Sequence, residues 1–365
     1  MRCCPRPRGT SVSEDLDLQT MLLAVDGTFQ TLLTADYQKG RRQQVSGLYE
    51  KAKYAQWDAE LDVDWSVGGQ IDRACDPDNP LTILSSATQG VFGRLNAEER
   101  ANFAHAMTAW TVSQFLHLEQ GALACAAKIV QAVPWLDAKF QASMQVVDEA
   151  RHTEVFARYL REKLEWEFPV NPHLRSFLEE IIREPRWDLT YLGMQIVTEG
   201  LALTTLGKWY RTTRDPLLKQ ITRYVLADEA RHVAFGLLSL REMYADLSAA
   251  EIRERQVFCY EAALHTRDRL LAEDLWEVLG LPVAECTEIM MHDPSQREYR
   301  RSLFANVVPN LKKLGLLDAG DGWLRTKFGE LGVLEFEDWE DSSLQINHMD
   351  LHRAPWDVVQ FQHYA

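Results

Sequence analysis

No apolar run in this 365-residue chain reaches the 18 or so residues that a membrane-crossing helix requires. Its first stretch, MRCCPRPRGTSVSEDLD, lacks the apolar segment of a secretory signal and turns acidic at once. The six cysteines (Cys3, Cys4, Cys75, Cys125, Cys259 and Cys286) form no CxxC pair, so they read as reduced thiols of a cytoplasmic protein. No phosphate loop, dinucleotide fingerprint or parallel-sheet pattern occurs. Positive charge is scarce as well. Lys and Arg number 39 against 54 Asp and Glu, and the net charge of −15 argues against nucleic acid or an anionic membrane as a partner. What remains is 46% hydrophobic and 25% charged, a globular balance with enough apolar residues for a large core.

Within that chain one five-residue stretch occurs twice: DEARH at 148–152 and again at 228–232. Each copy places a glutamate three residues before a histidine, Glu149 with His152 and Glu229 with His232, and on a helix such residues share a face. Thirty residues before each of these glutamates stands another, Glu119 in FLHLEQGAL and Glu199 in IVTEGLAL. The unit Glu, then Glu-x-x-His, therefore repeats at an offset of 80 residues. Four carboxylates and two imidazoles on four helices form the ligand set of a carboxylate-bridged two-metal site in a bundle core.

The spacing has a geometric meaning. Pro134 lies 15 residues from both Glu119 and Glu149, and Arg214 lies 15 residues from both Glu199 and Glu229. In an antiparallel hairpin, positions equidistant from the turn sit at one height, about 22 Å from it at 1.5 Å per residue. All four ligand-bearing positions can thus meet at one level of the bundle. Charge agrees, because four ionised glutamates and two neutral histidines neutralise two divalent cations, whereas bare carboxylates on apolar helix faces are costly to bury. The mixed oxygen and nitrogen set suits Fe(II), with Mn(II) as the alternative, and disfavours zinc. Asp148 and Asp228 stand one residue before a ligand. Each is placed to accept the outer N–H of the histidine in the opposite hairpin, with Arg151 and Arg231 pairing with those aspartates.

These motifs resemble those of the ferritin-like di-iron carboxylate superfamily. DEARH is similar to the D-E-x-R-H motifs of bacterial multicomponent monooxygenase hydroxylases and related stand-alone di-iron oxygenases. Similar motifs occur in stearoyl-carrier-protein desaturases and p-aminobenzoate N-oxygenases. The resemblance covers roughly residues 98–245. It implies two Fe ions, O2 as co-substrate and an external electron donor such as a ferredoxin or a reductase, with homodimers common. It also shows departures. Phe156 stands where the ribonucleotide reductase small subunit carries its radical tyrosine. Val225 stands where the N-oxygenases carry a third histidine. Leu203, with Thr204 beside it, stands where the hydroxylases carry a threonine.

The implied fold is all-α, a ferritin-like four-helix bundle with additional flanking helices. Residues 1–95 form an arm packing on the bundle, 96–330 the di-iron helical domain with extra helices, and 331–365 an acidic, aromatic tail. The start is Arg, Pro and Ser rich, DPDNP at 76–80 is a turn cluster, and His348, His352 and His363 of the tail read as solvated. The four ligand helices are expected at 96–133, 136–164, 189–212 and 216–245, with later helices at 247–279, from Pro282 onward and at 299–316. One turn from the ligands, Phe115, Gln145, Phe156, Leu203, Val225 and Gly236 are pocket candidates. Gly236 is the 80-residue counterpart of Phe156, and it either opens room for substrate or allows tight helix packing. The functional expectation is an O2-dependent monooxygenase that hydroxylates or N-oxygenates a small or medium organic substrate. The alternatives are a desaturase or oxidase of an acyl chain, and a ferroxidase-type metal-binding protein.

Overall fold

The four ligand-bearing helices start and stop where local chemistry dictates. In the computed structural model, which describes residues 27, 29–68 and 90–339, every regular element among the described residues is helical. Cys3, Cys4, Cys75, the 76–80 turn cluster, Trp356 and the histidines at 348, 352 and 363 lie outside the described residues. Among the described residues no helix is long and apolar enough to cross a membrane.

Helix α1 (Gln43–Tyr54) lies across α3 and α7 of the bundle. Helix α2 (Ala97–Ala132) begins at a reciprocal cap. The Asn96 side chain accepts the Glu99 N–H at 3.0 Å, and the Glu99 carboxylate accepts the Asn96 N–H at 2.8 Å. It ends at Val133, because the residue before a proline is pushed out of the helical region. Helix α3 (Leu136–Tyr159) returns against it and runs into a π-helical turn, Leu160–Leu164. Helix α4 (Pro172–Arg183) forms the crossover. Asn171 caps its start, and Lys128 of α2, buried, donates to the carbonyls of Ile181 and Ile182 at 3.2 Å each and to that of Glu184, closing its end.

The third ligand helix is not uniform. It starts as α5 (Trp187–Tyr191), widens into a seven-residue π-helical stretch, Leu192–Thr198, and continues as α6 (Glu199–Thr212). Helix α7 (Pro216–Tyr244) begins with Asp215 as cap and proline in the first turn, where a missing N–H costs nothing. The expected bounds of the four ligand helices therefore hold to within a few residues.

Two later expectations are corrected. The helix expected at 247–279 starts as foreseen, with Ser248 and Glu251 capping α8 (Ala249–Arg269), but it stops short. The chain turns through Leu270–Ala272, Ala272 adopts φ +54°, and α9 (Glu273–Val278) follows. Trp276, fully buried, donates its indole N–H to Leu271 O at 2.7 Å, and docking this ring bends the chain. After α10 (Val283–His292), the single helix expected at 299–316 is replaced by three pieces. These are α11 (Pro294–Ser302), a 3₁₀ turn at Leu303–Asn306 and α12 (Val308–Lys313). Pro309 cannot donate to a carbonyl four residues back, so a new helix has to start there. Helix α13 (Trp323–Glu330) packs beside α8. A buried ion pair, Arg255 to Asp188 at 2.8 Å, fastens α8 to α5. Cys125, Cys259 and Cys286 are free, buried thiols, and burial pushes the Cys125 thiol up to about 12, as suits packing rather than reactivity.

Candidate metal centre

Bringing six ionisable side chains into one apolar core is the costliest feature of this fold, and the bundle does so with four helices. Glu119 comes from α2, Glu149 and His152 from α3, Glu199 from the first position of α6, and Glu229 and His232 from α7. None is more than 1% exposed. Donor atoms of Glu119, Glu149, His152 and Glu229 lie within 4.8 Å of one another, as do those of Glu149, Glu199 and His232.

The distances separate two kinds of carboxylate. Glu149 presents Oε2 to His152 Nδ1 at 3.2 Å and Oε1 to His232 Nδ1 at 3.2 Å. Glu229 presents Oε1 to His152 Nδ1 at 3.1 Å and Oε2 to His232 Nδ1 at 3.7 Å. Both therefore span the two histidines, in bridging position. Glu119 reaches His152 alone, at 3.3 Å, and Glu199 reaches His232, at 4.0 Å, so these two are terminal. Glu119 Oε1, Glu199 Oε2, Glu229 Oε2 and His232 Nδ1 have no hydrogen-bond partner, although buried polar atoms in native proteins almost always do. A cluster of bare, converging donor atoms of this kind fits two divalent cations.

The titration shifts describe the same crowding. Burial, with Glu229 and Glu149 nearby, pushes Glu119 up to about 8 despite His152. Burial and the neighbouring carboxylates raise Glu199 well above the usual carboxylate range. Burial opposes charge on the histidines, yet the carboxylates outweigh it and raise both His152 and His232. Glu149 is driven below its ordinary value, since His232 and His152 overcome its burial. With protein groups alone, the site balances charge by holding protons that divalent cations would displace.

Around the six, the crossed pairing is present. His152 Nε2 lies 3.2 Å from Asp228 Oδ2, and His232 Nε2 lies 3.1 Å from Asp148 Oδ2. Both Nδ1 atoms thus face inward. Arg151 pairs with Asp148 and stands 3.6 Å from Asp228; Arg231 pairs with Asp228 and stands 3.7 Å from Asp148. Burial alone would raise Asp228, but Arg231, His152 and Arg151 hold it below the usual range.

Sequence reasoning missed three residues here. Trp57 donates its indole N–H to Asp228 Oδ2 at 2.7 Å and stacks on Tyr224 at 5.0 Å. Gln56 donates to Asp148 Oδ1 at 3.3 Å and accepts from Arg151 at 2.5 Å. Gln195 donates to Gln145 Oε1 at 3.1 Å. The available signal for Trp57 was that a buried indole needs an acceptor; for Gln195 it was the 80-residue offset from Phe115.

The pocket candidates divide. Phe115 packs on Phe156 at 6.0 Å and on Trp209 at 4.9 Å, and Leu203 and Val225 belong to the same apolar cluster. Gln145 is not a cavity wall, since it donates to Glu199 Oε1 at 2.8 Å and Glu149 Oε1 at 3.0 Å. Thr204 faces away, accepting from Asn306 at 2.9 Å and donating to Leu303 O at 3.3 Å. Gly236 opens no room. A Cβ there would stand 2.6 Å from Gln195 Cβ, so the glycine serves close helix approach. Phe115 lines a small cleft with Leu118, Thr198 and Ala202.

An all-helical bundle with four glutamates and two histidines converging in its core has the architecture of a ferritin-like di-iron oxygenase. The family model for p-aminobenzoate N-oxygenase AurF matches residues 38–315, most of the chain. The chain belongs to that family, and it is an O2-dependent di-iron oxygenase. Val225, read from the sequence as a departure from these N-oxygenases, does not exclude membership, because the match rests on the whole bundle rather than on one position. No curated protein matches. Among solved structures, the chain is similar to a point mutant of an R2-like ligand-binding oxidase with an anaerobically reconstituted Mn/Fe cofactor. The identity is 17% and the TM-score 0.46, over 74% of this chain and 92% of that chain.

Proposed function

We propose that this protein N-oxygenates a small aromatic amine, using O2 and a di-iron centre held by Glu119, Glu149, His152, Glu199, Glu229 and His232. The observation that carries the assignment is the placement of Glu149 and Glu229, each turned toward both inward-facing histidine nitrogens. When bound, the two irons supply the electrons and the site for O2 reduction. The aromatic amine is taken from the family's description, p-aminobenzoate N-oxygenase.

The chain's own residues have definite tasks. Asp228 and Asp148 hold the outer Nε2 protons of His152 and His232, so that the Nδ1 lone pairs point into the cluster. Arg151 pairs with Asp148 and Arg231 with Asp228, fixing both carboxylates against the histidines. Gln145 orients the Glu149 and Glu199 carboxylates. Phe115, Phe156 and Trp209 keep water from one side of the centre. Formation of a hydroxylamine from the amine and O2 consumes two electrons and two protons and releases one water, so an external donor such as a ferredoxin or a reductase belongs to the proposal. A cytoplasmic homodimer belongs to it as well.

The test is to load the protein anaerobically with Fe(II), count metal per chain, and add O2, a reductant and 4-aminobenzoate or aniline. Two irons and a hydroxylamine, nitroso or nitro product found by mass spectrometry support the assignment. Two irons with ferric mineral and intact amine would mean a ferroxidase. One iron or none would overturn the six-ligand site.

A further inference from the structure

Beside the six ligands, a second group of buried side chains carries polar atoms with no hydrogen-bond partner among the described residues. They are both amide atoms of Gln141, Oε1 of Gln195 and the hydroxyls of Tyr191, Ser239 and Tyr244. All lie toward one end of the bundle. Gln141 is near the start of α3, Tyr191 closes α5, and Ser239 and Tyr244 are near the end of α7, which packs on both. Short steps join them to the metal centre. Gln141 is one turn before Gln145 on α3, and Tyr191 stands four residues before Gln195. Gln195 donates to Gln145 at 3.1 Å, and Gln145 donates to Glu149 and Glu199. On α7, Gly236 lies against Gln195, and Ser239 follows one turn on, beside the Tyr191 phenol. At the outer end Tyr244 stands near Asp188 and Arg255, and Arg255 reaches the exposed Glu254 at 3.1 Å. A polar seam therefore runs from the surface to two of the ligand carboxylates. Its orphaned atoms are amides and hydroxyls, a mixture of donors and acceptors that suits water, whereas the bare carboxylates of the centre suit cations.

We propose that Gln141, Tyr191, Gln195 and Ser239 bind a file of internal waters that delivers protons from the Tyr244 end of the bundle to the metal centre. This rests on the oxygenase reading above, in which reduction of O2 takes up two protons at ligands that are sealed from solvent. The opposite flank, Phe115, Phe156, Leu203 and Val225, has no side-chain donor or acceptor to hold water. In each transfer an O–H bond of one water breaks as another forms on its neighbour. The proton advances, no group of the protein is oxidised or reduced, and the electrons come from the external donor. The last O–H bond forms on the oxygen being reduced. The four side chains are positioning residues, since water carries the proton.

The experiment has a structural and a kinetic arm. A crystal structure of the iron-loaded full chain, at a resolution that shows ordered water, should place waters within hydrogen-bond distance of Tyr191, Ser239 and both amide atoms of Gln141. A dry seam would overturn the proposal. In the kinetic arm, ferrous protein is mixed with O2, reductant and 4-aminobenzoate in H2O and in D2O. Tyr191→Phe and Ser239→Ala each remove one hydroxyl and little else. Each should slow O2 consumption at least about tenfold and enlarge the solvent isotope effect, with two irons per chain retained. If Tyr191→Phe fails to hold iron, Ser239→Ala carries the comparison. A variant slowed with an unchanged isotope effect acts through packing, and variants as fast as wild type mean that protons enter elsewhere; either result overturns the inlet alone. If wild type consumes O2 but leaves the amine intact, the amine assignment falls while the isotope effects still decide the inlet. If wild type consumes no O2, the oxygenase reading falls and the inlet with it.

Discussion

The two halves of the bundle carry the same ligand unit 80 residues apart, yet what flanks it differs sharply. In one half Phe115 precedes the first glutamate and Phe156 follows the histidine; in the other the counterparts are Gln195 and Gly236 (115 + 80 and 156 + 80). Val225 is likewise the counterpart of Gln145. The structure gathers these into two groups. Phe115, Phe156, Leu203 and Val225 make an apolar cluster, whereas Gln145 and Gln195 make a hydrogen-bonded pair that ends on Glu149 and Glu199, with Gly236 packed against it. The charged groups share one symmetry, as the proposed binding of two cations by six ligands requires. The flanks do not share it: on one side Gln145 holds two carboxylates, and the other side is apolar.

The strongest test of this comparison sets a bridging glutamate against a terminal one. Glu149→Ala should remove both irons and abolish turnover, since Glu149 faces both histidines, whereas Glu119→Ala should retain some iron; metal analysis per chain decides. Full iron loading in Glu149→Ala would break the bridging assignment. Next come the flanks. Phe156→Ala, which empties a fully buried site, should cost about 3–5 kcal/mol. Gly236→Ala, which forces a methyl against Gln195, should cost about 1–3 kcal/mol. Chemical denaturation measures both, and a neutral Gly236→Ala would mean that the helices separate more readily than their packing implies. Smaller still is the effect of the supporting aspartates. Asp148→Ala and Asp228→Ala should each weaken iron binding about 10- to 100-fold. Competition with a chelator would show whether the half backed by Trp57 differs from the half backed by Gln56.

The smallest effect is on pH. Glu119 titrates near 8 in the folded protein against 4.5 ordinarily, so between those values the folded state holds a proton that the unfolded state has released. His152 and His232, both raised, act in the same direction, their stabilisation being full below about 6.5 and lost as pH climbs through their folded values. The metal-free protein should therefore melt lower as pH rises from about 6 to about 9, while iron affinity rises over the same range because binding expels these protons. Melting temperatures that rise together in both forms would contradict the protonated cluster.

Much of this site was legible in the sequence because helices convert spacing into geometry. Glu119, Glu149, Glu199 and Glu229, each 15 residues from a turn, meet at one level, and Asn96 with Glu99, or Ser248 with Glu251, announces a helix start through local hydrogen bonds. What stayed hidden depends on contacts between distant segments. Trp57 meets Asp228 across 171 positions, from a stretch with no clear period. The turn after Arg269 is made by the docking of Trp276, a tertiary event with no glycine or proline to signal it. Pro309, by contrast, was visible and should have divided the helix expected at 299–316. Gly236 was open between two roles until the position of Gln195 decided it.

The π-helical stretch Leu192–Thr198 sets the phase of the third ligand helix. Its counterpart in the other half, residues 112–118, lies within the α-helical α2, so equal spacing along the chain does not mean equal rotation in space. Glu199 follows the last wide turn directly, so deleting one residue from 192–198 would change the phase of its carboxylate around the helix axis. The seven residues work as a vernier between two gears cut to the same pitch, bringing the second into mesh at one tooth, Glu199. Length in this segment is therefore constrained more tightly than identity, and a variant library should accept substitutions there more readily than a single deletion.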